Sequence, residues 1–219
     1  MMNKSINTEI MGISETSCIH PLYKSLIIEW QKEKFSDELL PAKEEMIKKI
    51  SLFIEKINSK LKESLSDENQ FLKEIFELDL ERLLFVLKDY LRIRLIKIEK
   101  YLYFIIKNDM GSILSTDEFE YAFNLFKIKR AYFNQNLYKN IHSDLNEFKD
   151  GISSKIIVSH NPNSFSFVKC VLNESLTLNL KEAFTNSEKD YIELMKDEIY
   201  CLPNILIKNA CDVNQLAYI

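Results

Sequence analysis

Apolar residues recur every three or four positions through IFELDLERLLFVLKDYLRIRLIKIEKYLYFII, the middle of a stretch from Phe71 to Lys107. Phe76, Leu80, Leu84, Leu87, Leu91, Leu95, Ile98, Leu102 and Ile105 fall on one row of a single α-helix, roughly 45 to 50 Å long, with no Gly or Pro to interrupt it. A second row, Leu83, Val86, Tyr90, Ile93, Tyr101 and Phe104, lies beside the first, so the apolar sector is wider than one packing seam needs. The polar remainder is a stripe of Glu81, Lys88, Arg92 and Glu99, with Arg94 and Lys97 at its edge. The pattern predicts the central helix of a bundle. Its surplus apolar face also suits contact with another chain.

Shorter patterns flank it. Leu22, Leu26 and Trp30 share one face of a helix expected to begin near Pro21, with Trp30 as a core anchor, followed by Phe35, Leu39 and Leu40 around a break at Ser36 and Asp37. Met46, Ile50, Phe53, Ile57, Leu61 and Leu65 mark a second helix from Ala42, and Ser66 to Asn69 supply capping residues after it. Past a break at Asn108 to Ser112, Ser115 and Glu118 form a capping box that opens another helix. That helix carries Phe119, Phe123, Phe126 and Phe133 beside Tyr121, Leu125 and Tyr132, aromatics expected to pack inward, with Lys127, Lys129 and Arg130 close together.

From Asn146 to Ser164 the pattern lapses into small polar residues with Gly151 and Pro162, and beyond it the period changes to two. FSFVKCV and SLTLNL read as a hairpin, Thr185 to Glu188 as a polar turn, Ile205 to Ala210 as a strand or short helix, and Leu216 to Ile219 as a last strand. The expected fold class is α+β, in four parts: a flexible tail (1–20), an all-α helical bundle (21–145), a linker (146–164) and a small β-rich C-terminal domain (165–219).

Composition narrows the chemistry. Three glycines and four prolines among 219 residues favour long helices over a glycine-punctuated β or nucleotide-binding fold. A net charge of −4 weighs against a dedicated nucleic-acid-binding domain. Cys18, Cys170, Cys201 and Cys211 are far apart, without a CxxC pair or a histidine at metal-ligand spacing, and read as reduced thiols. The first fifteen residues lack the apolar core of a signal peptide, and no run of eighteen apolar residues occurs, so a soluble intracellular chain is expected. His20, His142 and His160 lie in unrelated contexts, and no phosphate-loop, dinucleotide or HExxH motif is present. The residues by themselves point to an interaction protein without cofactor or metal.

Four blocks carry more. EWQKEKFSDELL (Glu29 to Leu40), ERLLFVLKDYLRIRLIKIEKY (Glu81 to Tyr101), LSTDEFEYAFNLF (Leu114 to Phe126) and DYIELMKDEIYCLPNILI (Asp190 to Ile207) resemble, in order and spacing, the Sld-five subunit family of the eukaryotic GINS complex. The resemblance runs from about Leu22 to the end, and YLRIRLIKIEKY is its most specific part. It implies a helical A domain and then a small β-rich B domain, in a nuclear heterotetramer with three sister GINS subunits. It further implies a non-catalytic scaffold that joins the Cdc-forty-five protein and the MCM ring in the replicative helicase and links it to polymerases. In some relatives the tail carries a short acidic-hydrophobic peptide that recruits a replisome hub; the first twenty residues here do not match it beyond a faint echo in INTEIMGI.

The chain departs from the family at two turns. Asn214 stands where a glycine commonly precedes the last strand, and Lys196, Asp197 and Glu198 replace the usual turn glycine after DYIEL. Candidate partner-binding residues are Trp30, Phe35, Leu40, Tyr90, Arg92, Arg94, Lys97 and Tyr101 in the helical part, and Phe167, Tyr191, Leu206 and Leu216 in the β-rich part. At least one of Arg92, Arg94 and Lys97 is expected to pair with a carboxylate, because charges on a helix built for burial need partners. The competing reading is a helical nucleic-acid-binding protein using Lys127, Lys129 and Arg130 among the aromatics.

Overall fold

The computed structural model describes residues 16–63, 70–136, 157–161, 163–172, 175–183, 191–213 and 215–219. Helices come first: α1 (Thr16–Phe35), α2 (Glu44–Glu63), the long α3 (Gln70–Lys100), α4 (Leu102–Lys107), a 3-10 turn (Met110–Ile113) and α5 (Thr116–Asn136). Then follow β1 (Phe165–Cys170), β2 (Leu176–Asn179), a 3-10 turn (Leu180–Glu182), β3 (Tyr191–Leu194), β4 (Ile199–Pro203), α6 (Asn204–Asp212) and β5 (Leu216–Tyr218). This is the expected α+β order. The first fifteen residues of the tail, the caps at Ser66 to Asn69, the helical end at 137–145, most of the linker, the turns at Asn173–Glu174 and Thr185–Glu188, and Asn214 lie outside the described residues.

The chain divides into two compact units, Met1–Trp30 with Glu44–Asp89, and Gln31–Lys43 with Tyr90–Ile219. In the first, Leu26, Ile50, Ile54, Leu80, Leu83, Val86 and Leu87 are buried, at the helical spacings the sequence shows. The Trp30 indole N–H donates to Asp89 at 2.8 Å, so this anchor has both its apolar body and its polar edge engaged. Pro21 lies inside α1 and not at its start. The helix therefore begins within the stretch expected as tail and continues past a residue without a main-chain donor.

In the second unit α3 ends at Lys100, and the chain bends at Tyr101 (φ −103°, ψ 17°) before α4. The single helix expected through Lys107 is thus two, and no Gly or Pro marks the break. At the bend the Tyr101 hydroxyl donates to Asp37 at 2.7 Å, a tertiary tie invisible to local sequence. Leu39, Ile98, Tyr101, Leu102, Ile105 and Ala122 form the helical core here, with Leu95, Phe104, Leu125 and Phe126 packed against it. The capping box is formed: the Ser115 N–H donates to Glu118 Oε2 at 2.9 Å and the Glu118 N–H to Ser115 Oγ at 3.3 Å. The expectation of an inward-facing aromatic set on α5 holds for Phe126, which packs against this core, and is corrected for four others. Phe119, Tyr121, Phe123 and Tyr132 are exposed, because Glu118, Ala122 and Leu125 already occupy the narrow face that meets the core.

The strands do not pair as a β1–β2 hairpin. β1 is the centre of a three-stranded antiparallel sheet in the order β4-β1-β5, and β2 pairs with β3. Across β2 and β3, Leu176 faces Leu194 and Leu178 faces Ile192, apolar cross-strand pairs that a β1–β2 hairpin would forgo. Val168 and Cys170 of β1 turn inward beside Leu202, Leu216 and Tyr218, and α6 adds Leu206, Ile207, Ala210 and Cys211 to one closed core.

Candidate partner interface

The LRIRLIK turns of α3 face inward where charge is least expected. Arg94 is fully buried, and each of its five N–H groups has an acceptor. Nε donates to Glu118 Oε1 at 2.7 Å and Nη2 to Glu118 Oε2 at 2.9 Å, a bidentate fork. Nη1 reaches Glu33 Oε2 at 3.0 Å and the Leu40 carbonyl at 2.6 Å, and Nη2 reaches the Ile113 carbonyl at 3.3 Å. Lys97, one turn on, donates to Glu33 Oε1 and to the Glu38 carbonyl, each at 2.8 Å, and to the Glu33 carbonyl. Two cations and two carboxylates thus form a neutral buried quartet that ties α1, the 36–43 loop, α3, the 3-10 turn and α5 together.

The electrostatics follow from that geometry. Burial alone would lower the pKa of Arg94, but the Glu118 hydrogen bond and the charges of Glu33 and Glu118 outweigh it and hold the guanidinium above its ordinary value. Burial would raise Glu118, and Arg94 reverses that, keeping the carboxyl below the usual range. For Lys97 burial prevails over Glu33 and lowers its pKa. Asp37 sits lower than usual despite its partial burial, because it accepts the Asn161 N–H, the Tyr101 hydroxyl and Lys100.

The structure sorts the candidate residues. Tyr90, Arg94, Lys97 and Tyr101 are buried inside the chain itself, and Leu206 and Leu216 belong to the C-terminal core. All six side chains are occupied by packing within this chain. Leu40 is half-buried and contributes its carbonyl to Arg94, while Trp30 is half-buried against Asp89. Phe35, Arg92, Phe167 and Tyr191 are exposed. Sequence reasoning missed Glu33, Asp37 and the second role of Glu118. The capping box did single out Glu118, and the Ser36–Asp37 break singled out the loop, but neither pattern named a partner.

A different surface is open. On α3, Phe71, Ile75, Leu78 and Phe85 are 73%, 40%, 48% and 64% exposed. At about 100° per residue they fall within a sector about 80° wide, an apolar stripe that the exposed Arg82, paired with Asp79, interrupts between Leu78 and Phe85. Among the described residues no group of three or more His, Cys, Asp or Glu is placed to hold a metal ion, and no helix is long and apolar enough to cross a membrane. Cys170 and Cys211 are buried, and Cys201 is exposed.

Comparison with known proteins agrees with this architecture. Residues 43–150 match the model of the Sld5 family, described as the GINS complex protein helical bundle domain. The chain is similar to the DNA replication complex GINS protein sld5 of Schizosaccharomyces pombe, 28% identical over 193 residues that cover 87% of this chain and 88% of the relative. The protein of the same name from Debaryomyces hansenii is 26% identical over 218 residues, covering 90% and 86%, and that from Homo sapiens 25% over 189 residues, covering 83% and 82%. With a helical bundle in the matched stretch, a small antiparallel β module after it and alignments across most of both chains, this chain belongs to the Sld5 family of GINS complex proteins.

Proposed function

We propose that the chain is a non-catalytic scaffold subunit of a GINS heterotetramer, working in DNA replication in the nucleus, where the complex joins the Cdc-forty-five protein and the MCM ring. Family membership supports the assignment to a replication complex. The observation that carries the scaffold role is the stripe of Phe71, Ile75, Leu78 and Phe85. Exposed apolar side chains gathered on one helix face suit a sister subunit's helix.

The test is co-expression with the three sister subunits, followed by sizing. Leu78→Glu with Phe85→Glu should abolish or strongly weaken assembly while the helical circular dichroism of the chain is retained. Normal assembly by that variant would sink the stripe as an interface.

A second reading keeps one observation. Phe119 and Phe123 are exposed and stacked, with centroids 6.4 Å apart and planes 5° from parallel, and Lys127 lies 4.1 Å from the Phe123 ring centre. Arg130 follows on the same helix face, so the patch has the makings of a stacking platform for single-stranded nucleic acid. Binding of an oligonucleotide that weakens steeply with salt and is lost in Phe123→Ala would favour that reading.

A further inference from the structure

The second unit contains two apolar cores with no residue in common, the helical core around Ile98 and Ala122 and the C-terminal core around Val168 and Ile207. What lies between them is polar. Asp37 Oδ2 accepts the Asn161 N–H at 3.0 Å. The Lys208 ammonium meets Glu38 at 2.9 Å, and the His160 ring nitrogen Nε2 stands 3.9 Å from Glu38 Oε2. Ser166 Oγ reaches the Phe35 carbonyl at 3.4 Å, and the ring of His160 meets Phe104 edge-on at 5.5 Å.

The same residues line a cavity of about 190 Å³, where Asp37, Glu38, His160 and Asn161 face Asn204 and Lys208. This cleft opens to solvent, so its polar lining lies beside water and not in a closed core. Asn204 Oδ1, buried in the seam, has no hydrogen-bond partner among the described residues. The Lys208 side chain is 54% exposed and that of Glu38 23%, placing their pair within reach of solvent.

We propose that Asp37 and Glu38 form a releasable clasp, holding the C-terminal module against the helical part in a way that lets the module undock with both cores intact. The design of the loop favours this. Glu38 holds the quartet through its main-chain carbonyl, which accepts from Lys97, and sends its side chain to the seam. Asp37 is anchored on the helical side by Tyr101 and Lys100 and offers its other oxygen to Asn161. The catch is thus built from side chains that can let go without disturbing the buried charges. Partly exposed ion pairs and single hydrogen bonds are weak enough individually for such opening to precede global unfolding.

Amide hydrogen exchange on the full chain, read by mass spectrometry, tests the clasp with charge swaps at its exposed end. Glu38→Lys sets like charges against Lys208. Exchange in peptides spanning 157–164 should rise about tenfold, while peptides of β1 and of residues 98–105 keep their protection. Lys208→Glu should act likewise. The double swap Glu38→Lys with Lys208→Glu should restore the original rates. Unchanged exchange in both single variants would overturn the proposal. So would a parallel rise in both cores, which would make the seam part of one folding unit, or a double swap no better than its parents.

Discussion

Arg94→Met should be among the most damaging single changes in the chain. The guanidinium is fully buried, and methionine fills much of its volume without any of its donors. Its removal leaves Glu118 without its bidentate partner and takes a donor from the Leu40 carbonyl, while the Ile113 carbonyl keeps the Ala42 N–H at 2.9 Å. Glu33 keeps Lys97, which limits the loss on that side. Breaking a buried pair by removing one partner costs about 3–5 kcal/mol, and each newly unsatisfied buried acceptor about 1–3 kcal/mol, with overlap between the two. An expected loss of about 4 kcal/mol is a large part of the roughly 5–15 kcal/mol that stabilises a typical domain. Urea denaturation followed by circular dichroism at 222 nm measures it. Arg94→Lys keeps the charge but offers three donors to five acceptor positions, and should recover only part of the loss. Adding Glu118→Gln to Arg94→Met should cost less than the sum of the two, because the uncompensated charge is gone; a coupling of about 2 kcal/mol is expected. A loss below about 1 kcal/mol for Arg94→Met, or strict additivity with Glu118→Gln, would refute the desolvated quartet.

Three further outcomes are expected. Glu118 is held below its ordinary carboxyl pKa in the folded chain, so its pairing stabilises above the unfolded value of 4.5 and is lost as pH falls through the lower folded value. The urea midpoint should therefore fall on acidification below about pH 4.5, and less so in Glu118→Gln. Trp30→Phe should cost about 1–2 kcal/mol in the same assay by removing the indole donor to Asp89 while keeping an aromatic ring; no loss would mean that the bond contributes nothing net. Asp197 adopts a left-handed φ of 64° at the turn where a family glycine is replaced, and it forms an exposed pair with Lys169. Asp197→Gly should relieve that conformational cost and raise the midpoint of thermal melts by a few degrees at most, and a clear destabilisation would assign the turn's stability to the ion pair.

What the sequence by itself determined is whatever repeats or closes locally. The three-to-four spacing of Leu80, Leu83 and Leu87 placed the buried face of α3, and Ser115 with Glu118 placed the start of α5. The change to a period of two announced the β module. The charges on LRIRLIK signalled that a partner was needed, and Arg94 and Lys97 have theirs inside the chain. Tertiary structure decided the rest. Glu33 lies 61 positions before Arg94, and Glu118 lies 24 after it, so only the packing of α1 and α5 around α3 selects these two carboxylates from the many on helix surfaces. Strand order was likewise undecided by alternation, since β1, β2, β4 and β5 each present a face that fits several neighbours, and the match of Leu176 and Leu178 to Leu194 and Ile192 is a long-range choice. The bend at Tyr101 and the outward turn of Phe119 and Phe123 have the same origin. A helical period fixes which residues share a face, whereas burial of that face depends on how much of it the rest of the fold comes to cover.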